Sequence, residues 1–373
     1  ENRKLDRKMN IFERIDMRDV VKKTIIAATN AAHSNENSRN ELTHAWIFEG
    51  PLGSGNTEAA SAFAASIICP NKGCGDCIEC TSILSGNHLD VEIYKPKGQA
   101  IKIYDLRELI NRSSLSPSIG GWRVIIFQDA DNLTDASANA LLGAIEDSSN
   151  RTIWILCANS EDEIIPTLRS RCRIIKFQSP TAKNIESYLV KNQEVNQEIA
   201  ESISKYAQGN LNRAKLLADN PVSIQRREAI LKLISSRVEI SQTIKKAGRF
   251  LELSAEETET INQAEFDQIN EDFFQVKYRL NQKSTSRSNE SKDSISQNIL
   301  DAASLLRDVL IRKIDSNIEY INPNFEKEII EMAEENTAEE ILVKLDYLIH
   351  TVSKLKSSAS PQILLENMLI LIN

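Results

Sequence analysis

The sequence predicts an α/β domain built on a parallel sheet with helices on both faces, followed by an all-helical remainder. Three observations carry this prediction. Apolar, β-branched runs at Ala45-Trp46-Ile47-Phe48, Arg123 to Phe127 and Thr152 to Cys157 read as buried strands separated by helical patterns. A glycine-rich octamer stands between the first strand and an alanine-rich helix from Thr57 to Ile68. After Phe177-Gln178-Ser179-Pro180 the strand signal stops.

The alanine- and leucine-rich stretch Ala138 to Glu146 supplies a helix between the second and third strands, and such alternation places a ligand crevice at the carboxyl ends of the strands. At 373 residues the chain exceeds what one hydrophobic core usually serves. Three domains are expected, at 1–180, 181–224 and 225–373. The second is compact and helical, closed by Asn220-Pro221. Residues 281–294 contain no apolar side chain and are expected to form a mobile loop. Farther on, Ile341, Leu342, Leu345, Leu348, Ile349, Val352 and Leu355 mark one helical face, preceded by Thr337 and Glu340 in capping-box spacing. Ser360-Pro361 starts a final helix. These stripes are read as intramolecular core.

Acidic residues outnumber basic ones, 53 against 45, for a net charge of -8, which argues against a protein that coats nucleic acid by bulk charge. No run of eighteen apolar residues occurs and Glu1-Asn2-Arg3-Lys4-Leu5 has no apolar signal core, so a cytoplasmic protein without membrane insertion is expected.

Gly50-Pro51-Leu52-Gly53-Ser54-Gly55-Asn56-Thr57 has the spacing of a phosphate-binding P-loop, G-x-x-x-x-G-K-[ST]. Gly50, Gly53 and Gly55 would let backbone N–H groups curl around a phosphate, and Thr57 stands where a hydroxyl would meet magnesium. The lysine is replaced by Asn56, whose amide cannot offset the charge that develops in phosphoryl transfer. The matching carboxylate is Asp129, at the end of the Arg123 to Phe127 strand. The next position, where a water-activating Glu would stand, is Ala130, and Asp131 lies one residue off and is expected to face the other way. Fold and spacing therefore predict a nucleotide site without hydrolysis.

Cys69, Cys74, Cys77 and Cys80 fit a closed, all-thiolate structural zinc site inserted after the first helix of this domain. Iron–sulfur ligation is the alternative for closely spaced cysteines. Cys157 and Cys172 are expected to be core thiols.

These residues, together with Thr43-His44-Ala45-Trp46, Gly86-Asn87-His88-Leu89-Asp90, Ile103 to Leu109 and Asp129 to Thr134 with Ala138-Asn139-Ala140-Leu141-Leu142, resemble the AAA+ clamp-loader family of bacterial DNA polymerase III, most of all its delta-prime type. The resemblance covers roughly residues 8 to 220. It implies a P-loop AAA+ domain with a zinc knob, a small helical lid and a C-terminal oligomerisation collar. Within it, Ser170-Arg171-Cys172 matches a motif whose arginine reaches the γ-phosphate bound by the next subunit. Asn159 matches a polar sensor after a strand, and Gly209 to Ala214 matches a second-sensor motif that would put Arg213 over the phosphate loop. The departures Gly143 and Asp147-Ser148-Ser149 stand where lysine and Glu-Pro-Pro are more usual. The resemblance implies a non-catalytic subunit of a polymerase holoenzyme, without intrinsic ATPase. Its partners would be gamma/tau-type ATPase subunits, the delta subunit, the sliding clamp and primed DNA. An AAA+ subunit retaining nucleotide binding or turnover, and a nucleic-acid module gripping DNA through its knob, are the competing readings.

Overall fold

The structure is a computed structural model that describes residues 10–13, 15, 17–34, 42–96, 101, 103–118, 121–147, 151–236, 242–269, 283–355 and 360–372. The chain divides into two compact units. One holds the described residues up to Ile185 together with Gly209–Asn212, and the other holds Glu186–Gln208 and the chain from Arg213 onward.

The first unit contains five parallel strands, β1 (Ala45–Glu49), β2 (Val91–Tyr94), β3 (Arg123–Phe127), β4 (Thr152–Ala158) and β5 (Arg173–Lys176), in the order β2-β3-β4-β1-β5. Six helices accompany them: α1 (Asp19–His33), α2 (Asn56–Ile68), α3 (Ile78–Leu84), α4 (Ile103–Ser113), α5 (Asp135–Glu146) and the short α6 (Pro166–Arg169). Because strand side chains alternate, each central strand feeds two cores. Trp46, Phe48, Val124, Ile126, Ile153 and Ile155 join α1, α2 and the turn at Ile11-Phe12. Ala45, Ile47, Ile125, Phe127, Trp154 and Leu156 face α4, α5 and Leu168. The register fixes these rows, with Ala45 opposite Trp154 and Trp154 opposite Ile125. The expected strands β1, β3 and β4 are the three central ones. The sequence reading missed β2 and β5, which are the two edges; their burial is incomplete and their apolar runs are correspondingly shorter.

The second unit is helical. Its elements are α7 (Ala182–Asn192), α8 (Gln197–Tyr206), α9 (Leu211–Asp219), α10 (Pro221–Ser235), α11 (Thr243–Ile269), α12 (Lys283–Lys313), α13 (Glu326–Glu335), α14 (Ala338–Leu355) and α15 (Pro361–Ile372), α7 and α9 each having their first residues in the first unit. Ile230, Phe250, Ile299, Leu306, Leu348 and Leu365 belong to its one large core.

Three expectations change here. The boundary expected at 224 falls inside α10, because Asn220-Pro221 opens that helix instead of closing a domain. Asn220 accepts the Val222 N–H at 3.1 Å as a cap, and Pro221 sits where its missing N–H costs nothing. Residues 283–294, expected as loop, form the first turns of α12; helix growth from an apolar segment adds one backbone bond per residue fixed and needs no apolar partner, while 281 and 282 lie outside the described residues. The apolar face of α14 is also narrower than expected. Ile341, Leu348 and Leu355 are buried, Leu345 and Val352 half-buried, whereas Leu342 and Ile349 are exposed. The capping box does form: Thr337 N–H donates to Glu340 Oε2 at 2.7 Å, and Glu340 N–H to Thr337 Oγ1 at 3.2 Å.

Candidate functional site

Strands β3, β4 and β1 are neighbours, so the segments leaving their carboxyl ends converge. The phosphate loop follows β1, Asp129 follows β3 and Asn159 follows β4. A cleft lined by Gly53, Asn56, Thr57, Asp129, Asn159 and Asn212, among others, lies there. Its volume is about 50 Å³, against the roughly 300 Å³ at which small-molecule sites begin. Gly53 and Gly55 have φ of 79° and 82°, the left-handed conformations that let the loop curl. Gly53 has a further reason to be glycine: a Cβ there would lie 2.1 Å from Asn210 Oδ1. Its carbonyl accepts the Leu211 N–H at 3.2 Å.

Asn56 closes this loop on itself. Its amide hydrogens point among the carbonyl oxygens of Phe48, Gly50 and Ala158 at 3.2, 3.3 and 3.4 Å, tying the ends of β1 and β4 together. Its Oδ1 accepts the Thr57 N–H at 2.9 Å. That N–H, at the positive end of α2, is one an anion would otherwise use. Beneath it, burial pushes the Cys157 thiol up, and the Asp129 charge adds to the shift while a Thr57 hydrogen bond opposes it.

Asp129 has φ 51° and ψ 46°, a left-handed turn that sends Ala130 into the core at 1 % exposure, packed with Phe127 and Leu141. The position after Asp129 therefore faces away from solvent. Asp131 turns toward the end of β4, where it accepts the Asn159 N–H at 3.3 Å and the Asn159 side-chain amide at 2.9 Å.

Arg171 sits in the turn between α6 and β5 and is half-exposed. It pairs through Nε with Glu146 at the end of α5 and donates to the Thr167 carbonyl at 3.1 Å. Cys172 is pushed up to about 12 by burial. Arg213, expected over the phosphate loop, instead directs its buried guanidinium to Asp301 and Glu257 within the helical unit.

The four thiols are brought together. Sγ atoms of Cys69, Cys74, Cys77 and Cys80 all lie within 4.8 Å of one another, with Cys69 3.7 Å from Cys74 and 3.6 Å from Cys77. A tetrahedral zinc thiolate with Zn–S near 2.3 Å sets its sulfurs about 3.8 Å apart, so the donor set fits that ion. Local structure fixes each ligand. Cys69 ends α2, Cys77 caps α3 by accepting the Cys80 N–H at 3.4 Å, and Gly73 and Gly75 make the turns at φ 89° and 83°. The Asp76 N–H holds Cys74 down to about 6, with burial opposing, whereas burial raises Cys77 and Cys80. Ile11 N–H donates to the Gly73 carbonyl at 3.0 Å, seating the N-terminal turn on the knob.

His88 is a site residue whose role the sequence reading did not assign. Its Nδ1 accepts the Asp90 N–H at 3.0 Å, so Nε2 carries the proton and donates to Glu79 Oε2 at 2.7 Å. This joins α3, between Cys77 and Cys80, to the residue that precedes β2. The signal was present in Gly86 to Asp90, quoted above only as a motif. For Glu146, the partner of Arg171, no signal beyond its place at the end of α5 was available.

Residues 27–181 match the family model described as DNA polymerase III, delta subunit. The delta' subunit of Bacillus subtilis DNA polymerase III is 30% identical over 202 residues, covering 53% of this chain and 61% of the relative. Over this segment the chain is similar to the delta-prime type of clamp-loader subunit. The parallel α/β sheet followed by helical elements agrees with the fold class that the sequence predicts. The tau subunit of B. subtilis is 28% identical over 193 residues, which are 49% of this chain and 34% of that protein. A gamma subunit-related protein of DNA polymerase III from Thermotoga maritima aligns over 94% of this chain and 98% of its own, at 14% identity and a TM-score of 0.44. The chain thus spans about six-tenths of the delta-prime relative and a third of the tau relative. Among the described residues, no helix is long and apolar enough to cross a membrane.

Proposed function

We propose that this chain is a non-hydrolysing clamp-loader subunit of the delta-prime type, which lends Arg171 in trans to the ATP site of a neighbouring gamma/tau-type subunit. In that role it works with the delta subunit to open the sliding clamp and load it on primed DNA. The observation that carries the reading is the closed phosphate loop: Asn56 occupies its own loop's carbonyls and the Thr57 N–H, so the cleft offers no cation and one fewer anion donor. Ala130, buried, supplies no base, and Asp131 is engaged by Asn159. These groups do not fit phosphoryl transfer.

Arg171 supports the other half of the reading. It is an arginine on a short turn, held at Nε and at one terminal nitrogen, with its side chain 46% exposed. A planar guanidinium presented in this way suits bidentate contact with a phosphate. The cysteine knob would hold one zinc ion, which when bound cross-links the end of α2 to α3. The protein's own part is to orient the four thiolates and keep the site closed to solvent chemistry.

The test is reconstitution with gamma-type subunits, delta, clamp and primed DNA. Arg171→Ala is expected to assemble normally and to slow hydrolysis at the one affected site by about 10³ to 10⁵-fold. The total rate falls less, because other sites keep their own arginines. Arg171→Lys, which keeps charge but loses the fork, is expected to stay defective. Undiminished clamp loading by the Ala variant overturns the trans role. Turnover by the isolated wild-type chain would instead favour the reading in which it keeps its own ATPase.

A further inference from the structure

Charge is buried most densely, among the described residues, inside the helical unit. Asp301 on α12 is fully buried and divides its two carboxylate oxygens between two arginines. Oδ2 takes Arg213 of α9, and Oδ1 accepts Arg227 Nε of α10 at 3.2 Å. Glu257 of α11 stands 3.8 Å from the Arg213 guanidinium. Arg227 donates further to Asn322 Oδ1 at 2.6 Å and Ser304 Oγ at 3.2 Å, and lies 4.2 Å from the centre of the Tyr206 ring of α8. Asn322 is fixed in turn by Asp308, at 2.8 Å. One polar cluster therefore ties five helices, α8 to α12.

The charges balance locally. Arg213 and Arg227 face Asp301 and Glu257, all at 5 % exposure or less. An arginine that reads a nucleotide phosphate must have charge to offer when the ligand arrives. The charge of Arg213 is already matched by two carboxylates of its own unit, and withdrawing it would strand Asp301 with a single partner in a site shut off from water. Desolvation alone makes that exchange unfavourable.

We infer that Asp301 determines what Arg213 does: it turns the arginine of a second-sensor motif into an anchor of the helical unit, so that α8 to α12 respond as one block whether or not nucleotide is present. The inference concerns Arg213 and does not rest on the trans role of Arg171. Glu186–Gln208 and the stretch from Arg213 to Asp219 then have no independent motion to couple to a phosphate. Nucleotide insensitivity is built in twice, once at Asn56 and once, separately, at Asp301.

A double-mutant cycle on the full chain tests this, by thermal unfolding with and without Mg-ATP and by hydrogen exchange of α9 and α10. Asp301→Asn and Arg213→Gln are each expected to lower the midpoint of the helical unit by roughly 6–20 °C. The double variant should be no worse than the poorer single one, and exchange should quicken in α9, α10 and the middle of α12. Added Mg-ATP should leave every difference unchanged. Arg213→Lys retains the charge and should show a smaller loss, equally indifferent to ATP, which keeps the test readable if a harsher variant does not fold. Unchanged midpoints, strictly additive losses, or an Arg213 effect that appears only with ATP would overturn the inference. Loader ATPase in reconstitution reads Arg171 separately, so the two proposals fail independently.

Discussion

Glu79 and His88 are joined at 2.7 Å, and the opposite ring nitrogen of His88 receives the Asp90 N–H, so one imidazole bridges α3, with two of the four clustered cysteines at its start, and the residue that precedes edge strand β2. His88 is almost fully buried, and removing its ring leaves the Asp90 N–H and the Glu79 carboxylate without it. His88→Ala is therefore expected to cost about 2–3 kcal/mol of stability in the α/β unit. It should also speed loss of metal to a chelator, since Glu79 lies between Cys77 and Cys80. Thermal unfolding and a chromogenic zinc assay check both; a variant that releases metal at the wild-type rate would separate His88 from the knob.

Metal analysis of purified protein should find one zinc per chain. Cys77→Ser removes both a thiolate and the cap of α3, and is expected to destabilise the first unit while leaving the helical unit's transition in place. Iron with a visible absorption band would refute the zinc assignment.

Restoring the two missing groups of the nucleotide site is expected to fail. Asn56→Lys supplies charge, but Ala130→Glu places a carboxylate in a core position behind the left-handed turn at Asp129. The double variant should show no ATP turnover above background and should lose several kcal/mol of stability, as buried unpaired charges do. Measurable hydrolysis would mean that the Asp129 turn refolds readily.

Arg171→Ala and Glu146→Gln should change the melting temperature by little. Both partners of this pair are half-exposed, and such pairs contribute about 0–1 kcal/mol. A large loss would mark Ser170-Arg171-Cys172 as a structural turn.

Lys246 gives the clearest pH dependence. It is buried on α11, donates to the Ser236 carbonyl at 2.7 Å, and burial lowers its pKa to about 8. Between that value and the ordinary 10.5 the unfolded chain binds more protons than the folded one, so stability rises with pH across this window and falls as pH drops through about 8. Lys246→Met should flatten the slope, as followed by urea unfolding from pH 7 to 10.5.

Much of this was legible beforehand where local chemistry decides the outcome. The central strands announced themselves as β-branched runs, the cysteine spacing brought four thiols together, and Thr337 with Glu340 capped a helix as written. What was hidden depends on contacts between distant residues. Asp301 is 88 positions from Arg213, and nothing in its own neighbourhood marks it as a partner. Asn220-Pro221 was visible but ambiguous, since the same pair can end one helix or begin another. The edge strands were too short to show a period, and the start of α12 has a composition that only its attachment to an apolar segment makes helical.

Helix α2 carries the glycine-rich loop at its first residue and the first of the four clustered thiols just past its last, some 13 residues or about 20 Å apart. Between them Ala59, Ala60, Ala62, Ala64 and Ala65 are wholly buried, so neighbouring elements approach with little more than methyl groups intervening. Enlarging any of these side chains would press on the neighbours packed against it. Position 56 stands at the cleft, where Asn56 makes polar contacts with the ends of β1 and β4. The alanines make only packing contacts. Packing and the lining of the cleft therefore fall on different residues of the same rod.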